Sequence, residues 1–113
     1  MTRTAFAIVV AGALTVGFPL GAAAQDKAEQ GAALFTSQKC SLCHSIAGKG
    51  NPKGSLDGVG AKLKADEIKQ WISDPEGMRA KTKAERTPAM KKMALAPEQV
   101  DSLVAYLGSL KTK

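Results

Sequence analysis

The chain has 113 residues and a formal net charge of +6. Its length is sufficient for one small domain but not for a large enzyme with its own cofactor domain. Its two cysteines are separated by two residues, which excludes a disulfide-dense scaffold. After residue 24 the only aromatic residues are Phe35, Trp71 and Tyr106, and so small a domain forms a marginal core. We therefore expect a further apolar body at its centre.

Residues 1–24 have the pattern of a secretory signal peptide. A positive charge near the start precedes 21 uncharged residues, and Pro19 interrupts them before a patch of small residues. Ala22 and Ala24 satisfy the A-x-A rule, which predicts cleavage after Ala24. An uncleaved membrane anchor is the alternative, because an uncharged run of 21 residues can just span a bilayer. We expect cleavage, which leaves residues 25–113 as one domain in a bacterial periplasm without stable membrane insertion.

Helical patterns dominate the rest of the chain, and no segment alternates between apolar and polar residues as a strand would. Helices are predicted over residues 26–39 and 65–73, and a last helix is predicted to begin near Pro97. The apolar stripe of the last helix is assigned to the core and consists of Val100, Leu103, Val104, Leu107 and Leu110. Residues 47–60 are rich in glycine and residues 77–92 are basic, and both segments are predicted to be loops. The sequence therefore predicts an all-α fold.

The most informative motif is C-x-x-C-H at Cys40, Cys43 and His44, which is typical of c-type haem attachment. On a helical turn, residues three apart share a face, so both thiols can form thioethers with the two vinyl groups of one porphyrin. The next residue is rotated by about 100°, which brings the imidazole of His44 over the ring, where Nε2 can bind iron. The motif predicts one covalently bound haem c and its iron.

Three other roles fit these cysteines less well. A thioredoxin-like redox pair follows a strand in a βαβ unit, and no strand is predicted before Cys40. A structural zinc site needs four ligands, whereas His44 is the only histidine beside two cysteines. A disulfide between Cys40 and Cys43 would close a very small loop and stabilise the chain little. Haem, in contrast, also supplies the apolar body that the core requires.

The sequence resembles the class I mono-haem bacterial c-type cytochromes over residues 25–113. Beside the haem motif, the resemblance rests on Gly31 and Phe35 and on residues 56–60, 67–72, 74–75, 87–90 and 104–107. It implies a small cytochrome c fold, with three to five helices wrapped around one covalently bound haem. It also implies that Gly31 permits the close approach of the first and last helices and that Phe35 packs near Tyr106. Trp71 is implied to pack against the haem.

Three methionines after residue 24 are candidates for the sixth ligand of the iron, namely Met78, Met90 and Met93. Met78 follows the stop of the middle helix too closely to cross to the distal face, and Met93 is expected to pack at the start of the last helix. Met90 follows Pro88, whose fixed φ stiffens the chain, in a segment similar to the ligand loop of the family. Although Lys91 stands where many relatives have proline, Met90 is the predicted ligand.

Ser55 stands where similar proteins often have a proline whose carbonyl accepts a hydrogen bond from the proximal histidine. The resemblance implies that the Ser55 carbonyl accepts from Nδ1 of His44, because a backbone carbonyl does not depend on its side chain. The loop loses the fixed φ of proline, so we expect a small shift in reduction potential without loss of function.

A haem iron held by His44 and Met90 predicts a one-electron carrier rather than an enzyme, since a methionine ligand favours Fe(II) and raises the potential. Two alternatives stay open. One is a haem enzyme or gas binder with an open distal site, and the other is a cytochrome subunit of a larger oxidoreductase complex. A monomer is the expected oligomeric state.

The segment from residue 79 to residue 92 is strongly basic. It contains Arg79, Lys81, Lys83, Arg86, Lys91 and Lys92, with Glu85 as its one acidic residue. One interpretation is a solvated charged loop, and the other is a surface that docks on redox protein partners with an acidic face. A nucleic-acid partner is not expected for an exported protein with so few aromatic residues.

Overall fold

The structure is a computed structural model, and it describes residues 12–13, 17 and 22–112. This part of the chain contains five α-helices, α1 (Ala22–Ser37), α2 (Val59–Lys62), α3 (Ala65–Ser73), α4 (Pro75–Thr82) and α5 (Pro97–Gly108). It also contains two short antiparallel strands, β1 (Ser45–Ile46) and β2 (Lys49–Gly50), and single 3-10 turns at Cys40–Leu42 and Pro52–Gly54. Helices thus make up most of the fold, and the predicted all-α class is confirmed.

The first and last helices form the main packing unit. Gly31 on α1 lies against α5, where a Cβ would collide with the carbonyl oxygen of Ser102 and lie 2.6 Å from Cβ of Tyr106. The rings of Phe35 and Tyr106 meet edge to face, with centroids 6.2 Å apart and an interplanar angle of 72°. This geometry is favourable for an aromatic pair. Both contacts confirm what the resemblance implied for this pair of helices.

The hydrophobic core lies along α5, against which α1, α2 and α3 pack. Its buried members are Phe35, Val59, Ile68, Ile72, Val100, Leu103 and Leu107. Three of them come from the predicted stripe of α5, whose other two members, Val104 and Leu110, are partly buried beside the cluster. Burying such a side chain contributes roughly 1.5–3 kcal/mol, so each of these residues stabilises the fold measurably.

The backbone shows where the three predicted helices begin and end. The predicted helix over residues 65–73 is α3, and the last helix begins at Pro97 as predicted. The first helix begins at Ala22 rather than at Asp26, and it ends at Ser37. Alanine is the strongest helix former, so the Ala22–Ala24 run extends the helix upstream of the predicted cap.

The basic segment is not entirely a loop, because its first part forms α4. Asp74 ends α3 and also caps α4, since its carboxylate accepts a hydrogen bond from the backbone N–H of Gly77 at 3.1 Å. Pro75 occupies the first helical position, where its missing N–H costs nothing. The helix stops at Lys83, which has a left-handed φ of 55°. The prediction of a loop from residue 77 is therefore wrong, and the loop begins after α4.

The glycine-rich segment 47–60 is likewise more structured than predicted. Ala47 and Gly48, with φ of 52° and 78°, form the two-residue turn between β1 and β2. The carboxylate of Asp57 accepts from the backbone N–H of Ala47 at 2.8 Å and holds this turn. Alanine rarely adopts a positive φ, so the sequence alone did not indicate a hairpin here.

The predicted signal peptide, residues 1–24, lies outside the described residues except for 12–13, 17 and the backbone of 22–24. The signal peptide and its cleavage site therefore remain predictions. Within the described part of the chain, no helix is both long enough and apolar enough to cross a bilayer.

Candidate functional site

The C-x-x-C-H motif forms one tight turn at the end of α1. Lys39 reverses the chain with a left-handed φ of 58°, and the 3-10 turn Cys40–Leu42 follows it. The backbone N–H groups of Cys43 and His44 both donate to the carbonyl of Cys40, at 3.1 and 2.9 Å. The motif is therefore wound as a single turn, as its spacing predicted.

Both cysteines carry free thiols in different environments. Cys40 is partly buried beside the core, whereas Cys43 is exposed. Burial raises the pKa of the Cys40 thiol, because desolvation disfavours the thiolate, and a backbone hydrogen bond only partly offsets this. At neutral pH this thiol is therefore protonated.

The imidazole of His44 is held by one hydrogen bond. Its Nδ1 donates to the carbonyl oxygen of Gly54 at 3.0 Å. Because that carbonyl can only accept, Nδ1 carries the proton and Nε2 is left with a free lone pair. Burial lowers the pKa of His44, the Gly54 bond opposes this, and the charge of Arg86 lowers the pKa further. The neutral ring that results is the form that binds a metal.

The acceptor is Gly54 and not Ser55, so the predicted partner of His44 is wrong by one residue. The side chain of Asn51 accepts from the backbone N–H of Lys53 at 3.0 Å and begins the 3-10 turn Pro52–Gly54. That turn places the carbonyl of Gly54 beside the ring of His44. Ser55, the next residue, forms a backbone bridge with Ser45 instead. The register of this turn decides which carbonyl meets the ring.

The three methionines occupy different positions. Met78 lies on α4 and is only 5% exposed, so it packs in the protein interior. Met93 is partly buried just before α5, whereas Met90 is 37% exposed. Met90 lines a groove of about 480 Å³ together with Pro75 at the start of α4 and Pro88 in the following segment. The structure thus brings Cys40, Cys43 and His44 together on one turn. Met90 lines a groove to which none of these three residues contributes.

One side chain from the segment that carries Met90 contacts the turn that carries His44. The guanidinium of Arg86 donates from Nη2 to the carbonyl oxygen of Cys43. Arg79, the other arginine of the basic segment, makes a different contact, because its Nε donates to the carbonyl of Ala84 at 3.0 Å. The sequence placed Arg86 in the basic segment but did not predict this contact, since no local pattern indicates a contact across 43 positions of the chain.

The comparison with protein families decides the identity of this domain. A sequence model of the family "Cytochrome c" matches residues 28–111, which is most of the chain. The chain belongs to the cytochrome c family. No curated protein and no solved structure gives a match. As a member of this family the cytochrome binds one covalently attached haem c with its iron, and its general function is haem-based electron transfer.

The residues of the turn fit this cofactor. Two free thiols three residues apart match the two vinyl groups, and His44 offers the unprotonated nitrogen that iron requires. The polypeptide core is thin, because no large side chain in the described part is less than 2% exposed. A planar apolar cofactor against this core would extend it.

Proposed function

We propose that this cytochrome is a periplasmic electron carrier, in which Cys40 and Cys43 form the thioether bonds and His44 and Met90 are the axial ligands. The hydrogen bond from His44 Nδ1 to the carbonyl of Gly54 is the observation that supports it most strongly. That bond leaves Nε2 free, fixes the plane of the ring and makes the nitrogen a better donor to iron. The bound haem supplies a one-electron Fe(III)/Fe(II) couple.

Each residue has a distinct task in this proposal. Cys40 and Cys43 keep the cofactor attached through repeated redox cycles, and their position on one turn fixes its edge to the end of α1. His44 is the strong proximal ligand. Met90 supplies a thioether, a soft ligand that prefers Fe(II) and so raises the reduction potential. Met90 is favoured over Met78, because Met78 is committed to the interior on α4.

The basic segment is proposed to dock the carrier on acidic redox partners. Five of its basic side chains are exposed, namely Lys81, Lys83, Arg86, Lys91 and Lys92. Lys91 and Lys92 follow Met90 directly and line the same groove, so they lie beside the proposed ligand. Complementary charge mainly increases the rate of association, which suits a carrier that must bind and leave its partners quickly.

Ligand binding to the iron tests this function against the alternative of an open distal site. The oxidised protein is expected to show the weak absorption band near the red end of the spectrum that marks methionine–iron ligation. The reduced protein is expected to bind carbon monoxide slowly, because Met90 must leave first. Absence of the band together with fast carbon monoxide binding would instead establish a gas binder or haem enzyme. Co-purification of a partner at moderate salt would establish a subunit of a larger complex.

A further inference from the structure

Although Arg86 is exposed, its side chain forms a hydrogen bond with the backbone of the attachment turn. Its guanidinium lies against the attachment turn and donates to the carbonyl oxygen of Cys43, the residue next to the proximal ligand. The absence of a side chain at Gly54 makes room for it, because a Cβ there would collide with Nη1 and lie 2.8 Å from Cζ of Arg86. The guanidinium therefore fills a space formed by the backbone of Cys43 and Gly54.

The other end of this connection is the segment that carries Met90. Residues 84–96 contain neither helix nor strand, so backbone pairing does not fix their position. Arg86 lies four residues before Met90, and Pro88 between them limits the freedom of the chain. A contact that holds Arg86 therefore also restricts the position of Met90, because the chain between them is short and contains a proline.

We propose that Arg86 is a positioning residue that fastens the segment carrying Met90 to the turn carrying His44, and thereby keeps the thioether over the iron. This inference rests on the proposed His44 and Met90 ligation. The planar guanidinium suits the task better than an ammonium, because its donors are fixed in direction and lose less freedom when they bind. Loss of the contact releases the segment and lets Met90 leave the iron more often.

The test compares Arg86→Ala with the wild-type holoprotein by two readouts, the methionine–iron band and the rate of carbon monoxide binding to the reduced protein. We expect a weaker band and a roughly tenfold faster rate, the factor that corresponds to about 1.4 kcal/mol and to one charged hydrogen bond. Arg86→Lys keeps the charge and one donor, so its rate is expected to lie between those of the wild type and Arg86→Ala.

Lys53→Ala is the matched control. Lys53 is exposed and adjacent to Gly54, so this change removes a positive charge near the same backbone without touching the contact. Wild-type values for Lys53→Ala with faster binding for Arg86→Ala support the inference. Equal effects in both variants, or an Arg86→Ala protein with a wild-type band and rate, overturn it. A wild-type protein without the band contradicts the ligation by Met90 itself, which separates the failure of the proposed function from that of the inference.

Discussion

At the scale of single residues, the site is governed by the surroundings of His44. The motif alone identified Cys40, Cys43 and His44, because their chemistry and spacing are local. The acceptor at Gly54 depended on the register of the turn that starts at Asn51, which no local pattern specifies. The sequence therefore predicts His44 as the ligand, a prediction that stays open to test, but it placed the hydrogen-bond partner of this residue one position too late.

Met90→Leu tests the proposed sixth ligand. Leucine keeps a similar volume and removes the sulfur, so the change affects ligation more than packing. We expect loss of the methionine–iron band, a lower reduction potential and rapid carbon monoxide binding. Visible spectroscopy, redox titration and stopped-flow mixing measure these three properties.

Met93→Leu is the matched control, because Met93 lies in the same segment and is partly buried before α5. All three properties are expected to stay close to those of the wild type. If Met93→Leu loses the band while Met90→Leu keeps it, the assignment of the sixth ligand is wrong by three residues.

At the scale of secondary structure, α3 and α5 were predictable because their start and stop signals are separate. Acidic residues at positions 66 and 67 favour the start of α3, and Pro97 marks the first turn of α5. In contrast, α4 was missed because Asp74-Pro75 both ends one helix and caps the next. The same two residues therefore end α3 and begin α4, and only the backbone of the structure shows that a second helix follows.

Gly31→Ala tests the close approach of α1 and α5. Alanine is a better helix former than glycine by about 1 kcal/mol, so the change would stabilise an isolated helix. In the protein its Cβ collides with the Ser102 carbonyl, and such overpacking costs about 1–3 kcal/mol. We expect a net loss of stability, measured by denaturant unfolding of the holoprotein.

Gly108→Ala is the control for this substitution. Gly108 ends α5, and a Cβ there would meet nothing within 4 Å. It is expected to leave stability unchanged or to raise it by up to about 1 kcal/mol. Equal stability of the Gly31→Ala variant and the wild type would show that the two helices do not need this glycine.

Lys64→Ser tests the start of α3. Lys64 occupies the cap position, and its backbone N–H donates to the side chain of Glu67 at 3.0 Å, but its own side chain makes no capping bond. A serine hydroxyl can accept from the exposed N–H of Glu67, and such a cap contributes about 0.5–1 kcal/mol. Thermal unfolding is expected to show that gain, and an unchanged midpoint would mean that the serine hydroxyl does not cap α3.

At the scale of the whole molecule, charge is distributed unevenly. The chain carries 16 basic and 10 acidic residues, and six of the basic ones lie between residues 79 and 92. The sequence predicted that these residues are basic and close together in the chain. The structure shows that Arg79 and Lys81 belong to α4 and that the others follow this helix. Within the basic segment, Lys91 and Lys92 follow Met90, the proposed sixth ligand, and line the same groove.

Reversing the charge of Lys91 and Lys92 together tests the docking surface. The double substitution to Glu is expected to slow reduction by the physiological partner at low ionic strength, because it removes the attraction that guides association. The difference from the wild type should fade at high salt, where surface charges are screened. Stopped-flow kinetics over a salt series measures both effects, and equal rates at low salt would exclude a role for these lysines.

The central claim is that this cytochrome carries single electrons on a haem held by His44 and Met90. A redox titration followed by visible absorbance tests it most directly. We expect c-type haem bands that change in one reversible step, with a tenfold change in the oxidised-to-reduced ratio for every roughly 59 mV, as a one-electron couple requires. A protein without haem bands whose redox step has a slope of about 30 mV, that of a two-electron dithiol couple, would contradict it.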